Sequence, residues 1–408
     1  MNAQRALAVS ALFALAVGCS ESKLRPGYCE SDGDCPSGQR CVLSGAATFM
    51  CAGADGGSFD ADVSEGGDAP EVEVAAECTT SAQCPAEKPI CDGGSCRVCD
   101  PAQTSDGQAC ASRDSTRPVC GAAGSCVQCA SANSADCTGD ATKPICDVAS
   151  NTCVSCTMDD QCAAKGGGPG ICMSHQDGRC AADTEVIYVE NKAGCANDAL
   201  TTGSGSSGMP FCGPQVALNA LSASRRVLVI SGSVSGVAWT AMNGDGPIAL
   251  IGRASAAVAP GTSVGISVAG PGELYARDLV VRNSEQTGIL AENGATLRLQ
   301  HVIVDSNRGG GILIDGSGFD IANTQVTNNG PGQLSGGIVW GGLRIQMPGN
   351  AATLKLVTIS NNQSVGVSCS TAVAGMGIFA TGNAGGVDVT AACQIAACSP
   401  AGPTCGAQ

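Results

Sequence analysis

Two sets of residues in this chain have the type and spacing to do chemistry, and cysteine is the larger. There are 27 cysteines, and setting Cys19 aside leaves 26, an even number as complete pairing requires. Twenty lie in five groups of four: Cys29, Cys35, Cys41, Cys51; then Cys78, Cys84, Cys91, Cys96; then Cys99, Cys110, Cys120, Cys126; then Cys129, Cys137, Cys146, Cys153; then Cys156, Cys162, Cys172, Cys180. The last three boundaries between groups read CRVC, CVQC and CVSC. Such spacing suits zinc thiolates, a dithiol redox centre or structural disulfides. Zinc would leave four further cysteines idle in each pairing, and a thioredoxin-like site needs a βαβ context that is absent. Disulfides use every sulfur. The second set is a carboxylate and an imidazole, Asp278 and His301, the one pair here that resembles an acid–base couple.

The remaining cysteine, Cys19, ends the run Ala16-Val17-Gly18-Cys19, after Arg5 and a largely apolar stretch, 6–17. Residues 1–18 have the anatomy of a secretory signal peptide, too short to cross a bilayer as a mature helix. The run resembles a bacterial lipobox, which implies lipid attachment at Cys19 and an anchored N-terminus, 19–28. A plain signal with Cys19 left over is the alternative. Ser20 is not the Asp that tends to retain such lipoproteins at the inner membrane, which implies the outer membrane or cell surface of a Gram-negative bacterium. Export also fits a chain that would oxidise its cysteines.

The elements that position these groups follow from composition. Aromatics are only 3% of the chain and glycines number 57, too few bulky side chains for a large globular core. A net charge of −15 is the wrong sign for a phosphate-binding surface, so nucleic acid is not an expected partner. Residues 29–51 form a first four-Cys unit and 78–182 four more in tandem, with the internal repeat KPICDGGSCRVC, RPVCGAAGSCVQC, KPICDVASNTCVSC. Units that short need covalent staples. Between them, 52–77 holds eight Asp and Glu and no Lys, Arg or Cys, a disordered acidic linker. No metal or cofactor is implied.

From residue 183 onward short Val, Ile and Leu runs alternate with Asn and Gly turns. Cys195 and Cys212 pair naturally there, ahead of a short helix over 214–224. Four segments then overlay without gaps: LYARDLVVRNS (274–284), LRLQHVIVDSN (297–307), FDIANTQVTNN (319–329) and ATLKLVTISNN (352–362). Inward positions run in steps of two, the period of a strand, with one step of three that marks a bend. The next strand of each repeat is expected to open at Gly288-Ile289, Gly311-Ile312, Gly337-Ile338 and Gly366-Val367. Repeats of about 22 residues, each of three short strands, build a parallel β-helix over 183–408. Asn307, Asn329 and Asn362 share a column and are expected to form an amide ladder. Cys369, Cys393, Cys398 and Cys405 are expected to staple the C-terminal end.

The fold class is therefore mainly β, a right-handed parallel β-helix preceded by small disulfide-rich four-Cys repeats. The segment 183–408 resembles the pectate-lyase-like repeat family, and the whole chain is similar to Cys-rich bacterial surface lipoproteins carrying such a helix. The resemblance implies the fold and hardly any activity; enzymes of that fold work on polysaccharides from one outer face. The outward columns, such as Tyr275, Arg298, Asp320, Thr353, contain no two stacked acids, and Arg298 beside Asp320 reads as a surface ion pair. Asp278 and His301 lie on the bend. The favoured expectation is a non-enzymatic surface protein whose β-helix is structural or binds carbohydrate or another surface component. The alternative is a polysaccharide lyase or glycoside hydrolase acting on that flank.

Overall fold

The computed structural model describes residues 39–43, 49–53, 76–131, 136–191, 203–333, 337, 339–349 and 352–395. The expected signal segment, Cys19, Cys29, Cys35, most of the acidic stretch, Cys195, Cys398 and Cys405 lie outside them. The chain divides into two compact units, Met1–Val74 and Ala75–Gln408. In the first, Gln39–Leu43 and Phe49–Gly53 pair antiparallel with Cys41 facing Cys51.

The same hairpin recurs in the second unit. Cys91 faces Cys96, Cys120 faces Cys126, Cys146 faces Cys153, and an isolated bridge joins Cys172 to Cys180. Facing residues of an antiparallel pair point to one side of the hairpin, yet in none of these four repeats do the two bond to each other. In each of these four groups the first cysteine bonds the third and the second bonds the fourth: Cys78–Cys91 and Cys84–Cys96, Cys99–Cys120 and Cys110–Cys126, Cys129–Cys146 and Cys137–Cys153, Cys156–Cys172 and Cys162–Cys180. Sulfur therefore forms the core. The buried cluster of each repeat consists of its cysteines. Ile90 and Ile145, each just before a third cysteine, pack into the cluster of the following repeat: Ile90 with Cys99, Cys110 and Cys120, Ile145 with Cys156, Cys162 and Cys172. The junction residue Arg97 binds the adjoining repeat by a bidentate pair to Asp106 at 2.7 and 2.8 Å. Asp106 is buried and opens the helix Thr104–Arg113. The Arg97 hydrogen bonds hold its carboxyl below the usual range against the opposing effect of burial.

From Val186 the chain coils. Each full turn contributes three strands, for instance Glu273–Arg277, Val280–Arg282 and Ile289–Glu292, and every strand pairs in parallel with its counterpart one turn on. Leu274, Leu297, Phe319 and Ala352 are in register, as are Val281, Val304, Val326 and Ile359. Like side chains thus stack on like, and the aliphatic column from Ile187 to Ile378 is shut away from water. The step of three is a single left-handed residue between the first and second strands, at Ser255, Asp278, His301, Asn323, Leu356 and Gly377.

The third strand corrects one expectation. Ile312 pairs with Leu343, not with the Gly337-Ile338 position, and Leu343 in turn with Val367. The insertion forms an antiparallel pair, Gly332–Gln333 with Val339–Trp340, that bulges out before the coil resumes. Trp340 folds back and is buried. The helix is also shorter than expected, Pro214–Asn219, with Ala217 and Leu218 joined to the aliphatic column at the first coil.

The asparagine ladder is present and longer than expected. Each Nδ2 donates at about 3 Å to the Oδ1 of the next rung, from Asn307 through Asn329 and Asn362 to Asn383. Each Oδ1 also accepts the backbone N–H one coil earlier, beginning with Ser284. Asn383 ends the series on the Asp388 carboxylate at 2.7 Å. The ladder explains one glycine column. A Cβ on Gly288 would lie 2.6 Å from the Asn307 amide nitrogen, so no side chain fits where the third strand begins.

Candidate functional site

Asp278 and His301 meet at the bend, Oδ1 to Nδ1, at 3.7 Å. Both occupy the left-handed position, which Ser255, Asn323 and Leu356 fill in other coils, so backbone shape alone does not select them. Their surroundings distinguish them. Asp278 Oδ2 accepts from Arg277 at 2.6 Å, and the other arm of that guanidinium bonds Asp159 at 2.5 Å. Asp159 comes from the fifth four-Cys repeat, at the start of the helix Asp159–Lys165, and also accepts the Cys172 N–H at 2.8 Å. The result is a cleft of about 230 Å³ lined by Asp159, Asp160, Arg277, Asp278, Gln300 and His301.

This cleft exists because the last four-Cys repeat lies on the coils. Ile171, Met173 and Ala181 pack against the outward side chains of Val186, Val227, Val229, Ala249, Ile251 and Tyr275. Tyr275, expected to face outward, is buried there, with its hydroxyl donating to Gln300 at 2.6 Å. Arg253 donates to the carbonyls of Pro169 and Gly170 at 2.8 Å each. Burial under this cover explains why these first-face strands are apolar at nearly every position, where a strand with one wet face would alternate. That uninterrupted apolar reading in VLVI and IALI was the available sequence signal for a covered face.

Other expected contacts shift as well. Arg298 turns away from Asp320 and pairs with Glu273 at 2.9 Å, while Asp320 accepts the Thr353 hydroxyl. Among the described residues the first and second strands stack no two acids, but the third corrects that expectation, with Glu292 in register with Asp315 on the next coil. Separately, Asp159 and Asp278 converge on the two arms of Arg277. The arrangement neutralises one buried guanidinium with two carboxylates. It can orient hydroxyls of a bound molecule by charge-assisted hydrogen bonds. Glycosidic hydrolysis instead needs one carboxyl that keeps its proton and another free to attack or to activate water.

The cysteine chemistry is equally clear among the described residues. Three sets of sulfurs lie close enough to hold an ion, around Cys78, Cys129 and Cys156. All are disulfide sulfurs and so are not thiolates. Cys96 and Cys99 of the C-x-x-C junction bond Cys84 and Cys120, not each other. Cys369 bonds Cys393 beneath the last coils, and Cys212 is disulfide-bonded.

Residues 264–399 match the family model described as right handed beta helix region. The C-terminal half is a right-handed parallel β-helix. Residues 64–186 match a family of unknown function (DUF8331), a span that ends as the first strand of the coils begins. No curated protein and no solved structure matches the chain. The many disulfides mark an exported protein. Among the described residues no helix is long and apolar enough to cross a membrane.

Proposed function

We propose that this protein is a lipid-anchored surface protein whose β-helix flank binds polysaccharide without cleaving it. The observation that carries the reading is the Asp159–Arg277–Asp278–His301 cleft. It offers convergent hydrogen-bonding groups on the coil flank, with both carboxylates already engaged by one guanidinium. Among the described residues Phe379 is the one exposed large aromatic, which favours a ligand held by its hydroxyl or carboxylate groups. Cys19, at the end of a lipobox-like run, supplies the anchor, and the four-Cys repeats act as stalk.

Affinity electrophoresis on neutral and acidic polysaccharides, with and without Ca²⁺, tests the binding. One polymer class should retard the protein, and Asp278→Ala should weaken that retention about tenfold, the worth of one charge-assisted contact. No shortened or unsaturated product should form. The 3.7 Å contact between Asp278 and His301 favours one second reading, a lyase or hydrolase. Turnover that disappears in Asp278→Ala or His301→Ala would establish it and overturn the first. Anchoring is read separately, by fatty-acid labelling that Cys19→Ala should abolish.

A further inference from the structure

His175 stands outside the chemistry above. Its ring lies flat on Tyr275, with centroids 3.9 Å apart and planes 8° from parallel. His175 belongs to the last four-Cys repeat and Tyr275 to a coil strand, so the stack is a seam between the two. Both ring nitrogens are closed off from solvent, and neither has a hydrogen-bond partner. Leaving a polar atom in that state costs about 1–3 kcal/mol, so the seam is held by packing and tolerates the ring only as a neutral group.

The charged groups around it make that point stronger. From the repeat come Asp177, Arg179 and Asp159; from the coils come Arg277, Asp278 and Arg298. The carboxylates are already committed: Asp159 and Asp278 to Arg277, Asp177 to Arg179. Arg179 is also paired with Glu185 and Arg298 with Glu273, so each carboxylate here is engaged by a guanidinium. A proton on His175 would be favoured by Asp177 alone and opposed by burial and by Arg277, Arg298 and Arg179.

We propose that His175 is an acid-sensitive latch: neutral, it holds the last four-Cys repeat on the coils, and protonated, it releases that repeat, uncovers Tyr275 and takes the cleft apart. Burial, then Arg277 and Arg298, push its pKa from 6.5 down to about 4. The released ring titrates at its ordinary value, so release takes up a proton. Docking is at full strength above pH 6.5 and weakens as the pH falls from there toward 4. By linkage the release equilibrium should rise about 20-fold between pH 7 and pH 5, and about 200-fold by pH 3. The latch does not depend on what the cleft binds.

Peroxide oxidation of methionine reads this directly on the full disulfide-bonded chain, because a buried thioether reacts only when its cover opens. Met173 is 2% exposed inside the seam, and Met242 at 75% serves as the internal standard. In wild type the Met173 rate relative to Met242 should rise about 20-fold from pH 7 to pH 5. In His175→Phe, which keeps the stack and cannot ionise, the ratio should stay flat. If that variant misfolds, the neutral His175→Gln takes its place and should also stay flat. A flat ratio in wild type, or an equal rise in the variant used, overturns the latch.

Discussion

The four-Cys repeats and the β-helix solve the same problem with opposite means. Both are built from a chain poor in aromatic residues, so neither can form a core of large side chains. The repeats put paired sulfurs where a core would be, and each is fixed largely by its own cross-links. The coils instead borrow their core from their neighbours, through aliphatic stacks and an amide ladder that mean little in one coil alone. Local covalent restraint therefore contrasts with order that exists only by repetition. The last four-Cys repeat sits where the two meet, stapled like the first kind and packed by apolar contact on the second.

Reduction should separate the two regions most sharply. Eight disulfides hold residues 78–180, and each contributes about 2–4 kcal/mol. With a phosphine reductant at neutral pH, hydrogen exchange should lose all protection over 90–154. Protection should persist in the inner strands between Leu274 and Ile359. Simultaneous loss in both would mean that the coils depend on the repeats, and the contrast would fail.

The reverse break is Asn329→Ala. It removes the acceptor of the Asn307 N–H and amide, and the donor to Val304 and Asn362. Leaving several buried groups unpaired at once should cost about 4 kcal/mol, read as a lower urea midpoint for the β-helix with the repeats unchanged. Asn307, Asn329 and Asn362 were legible beforehand, because three equal residues after equal strands stand out in an overlay. Their continuation was not. Ser284 accepts the same register with a different side chain, and Asn383 follows a coil too irregular to align.

The misplaced third strand has a physical origin too. GGIVW and GGLRI present the same glycine pair and alternation five residues apart, and only stacking on Ile312 chooses Leu343 over Ile338. The cleft was half legible. Asp278 and His301 shared a column, but Asp159 lies 118 residues before Arg277 and in the other kind of structure. Nothing periodic connects them, so the contact comes from docking and not from pattern.

Asp106→Ala probes how far one repeat depends on the next. It leaves Arg97 without its bidentate partner and removes the acceptor of the Asp100 N–H. Because Arg97 keeps access to water and to Asp92, the loss should be about 2 kcal/mol. Asp106 has its carboxyl held below the usual 3.8, so this contribution is present at neutral pH and fades as the pH falls through that lowered value. The unfolding midpoint of the repeats should drop while the coils hold.

The smallest expected effect tests whether repetition tolerates a locally poor residue. Leu356 occupies the left-handed bend at φ 53° with its side chain 57% exposed. A γ-branched apolar residue gains nothing from that exposure and strains a conformation that Asn accepts readily. Asn323 already fills the same position one coil earlier. Leu356→Asn should therefore stabilise the β-helix by about 0.5–1 kcal/mol, visible as a small rise in its urea midpoint. If the variant is instead destabilised, Leu356 makes a contact that outweighs its backbone. The bend column would then be selected by side chain as well as by shape, and Asp278 and His301 would have to be judged in that light.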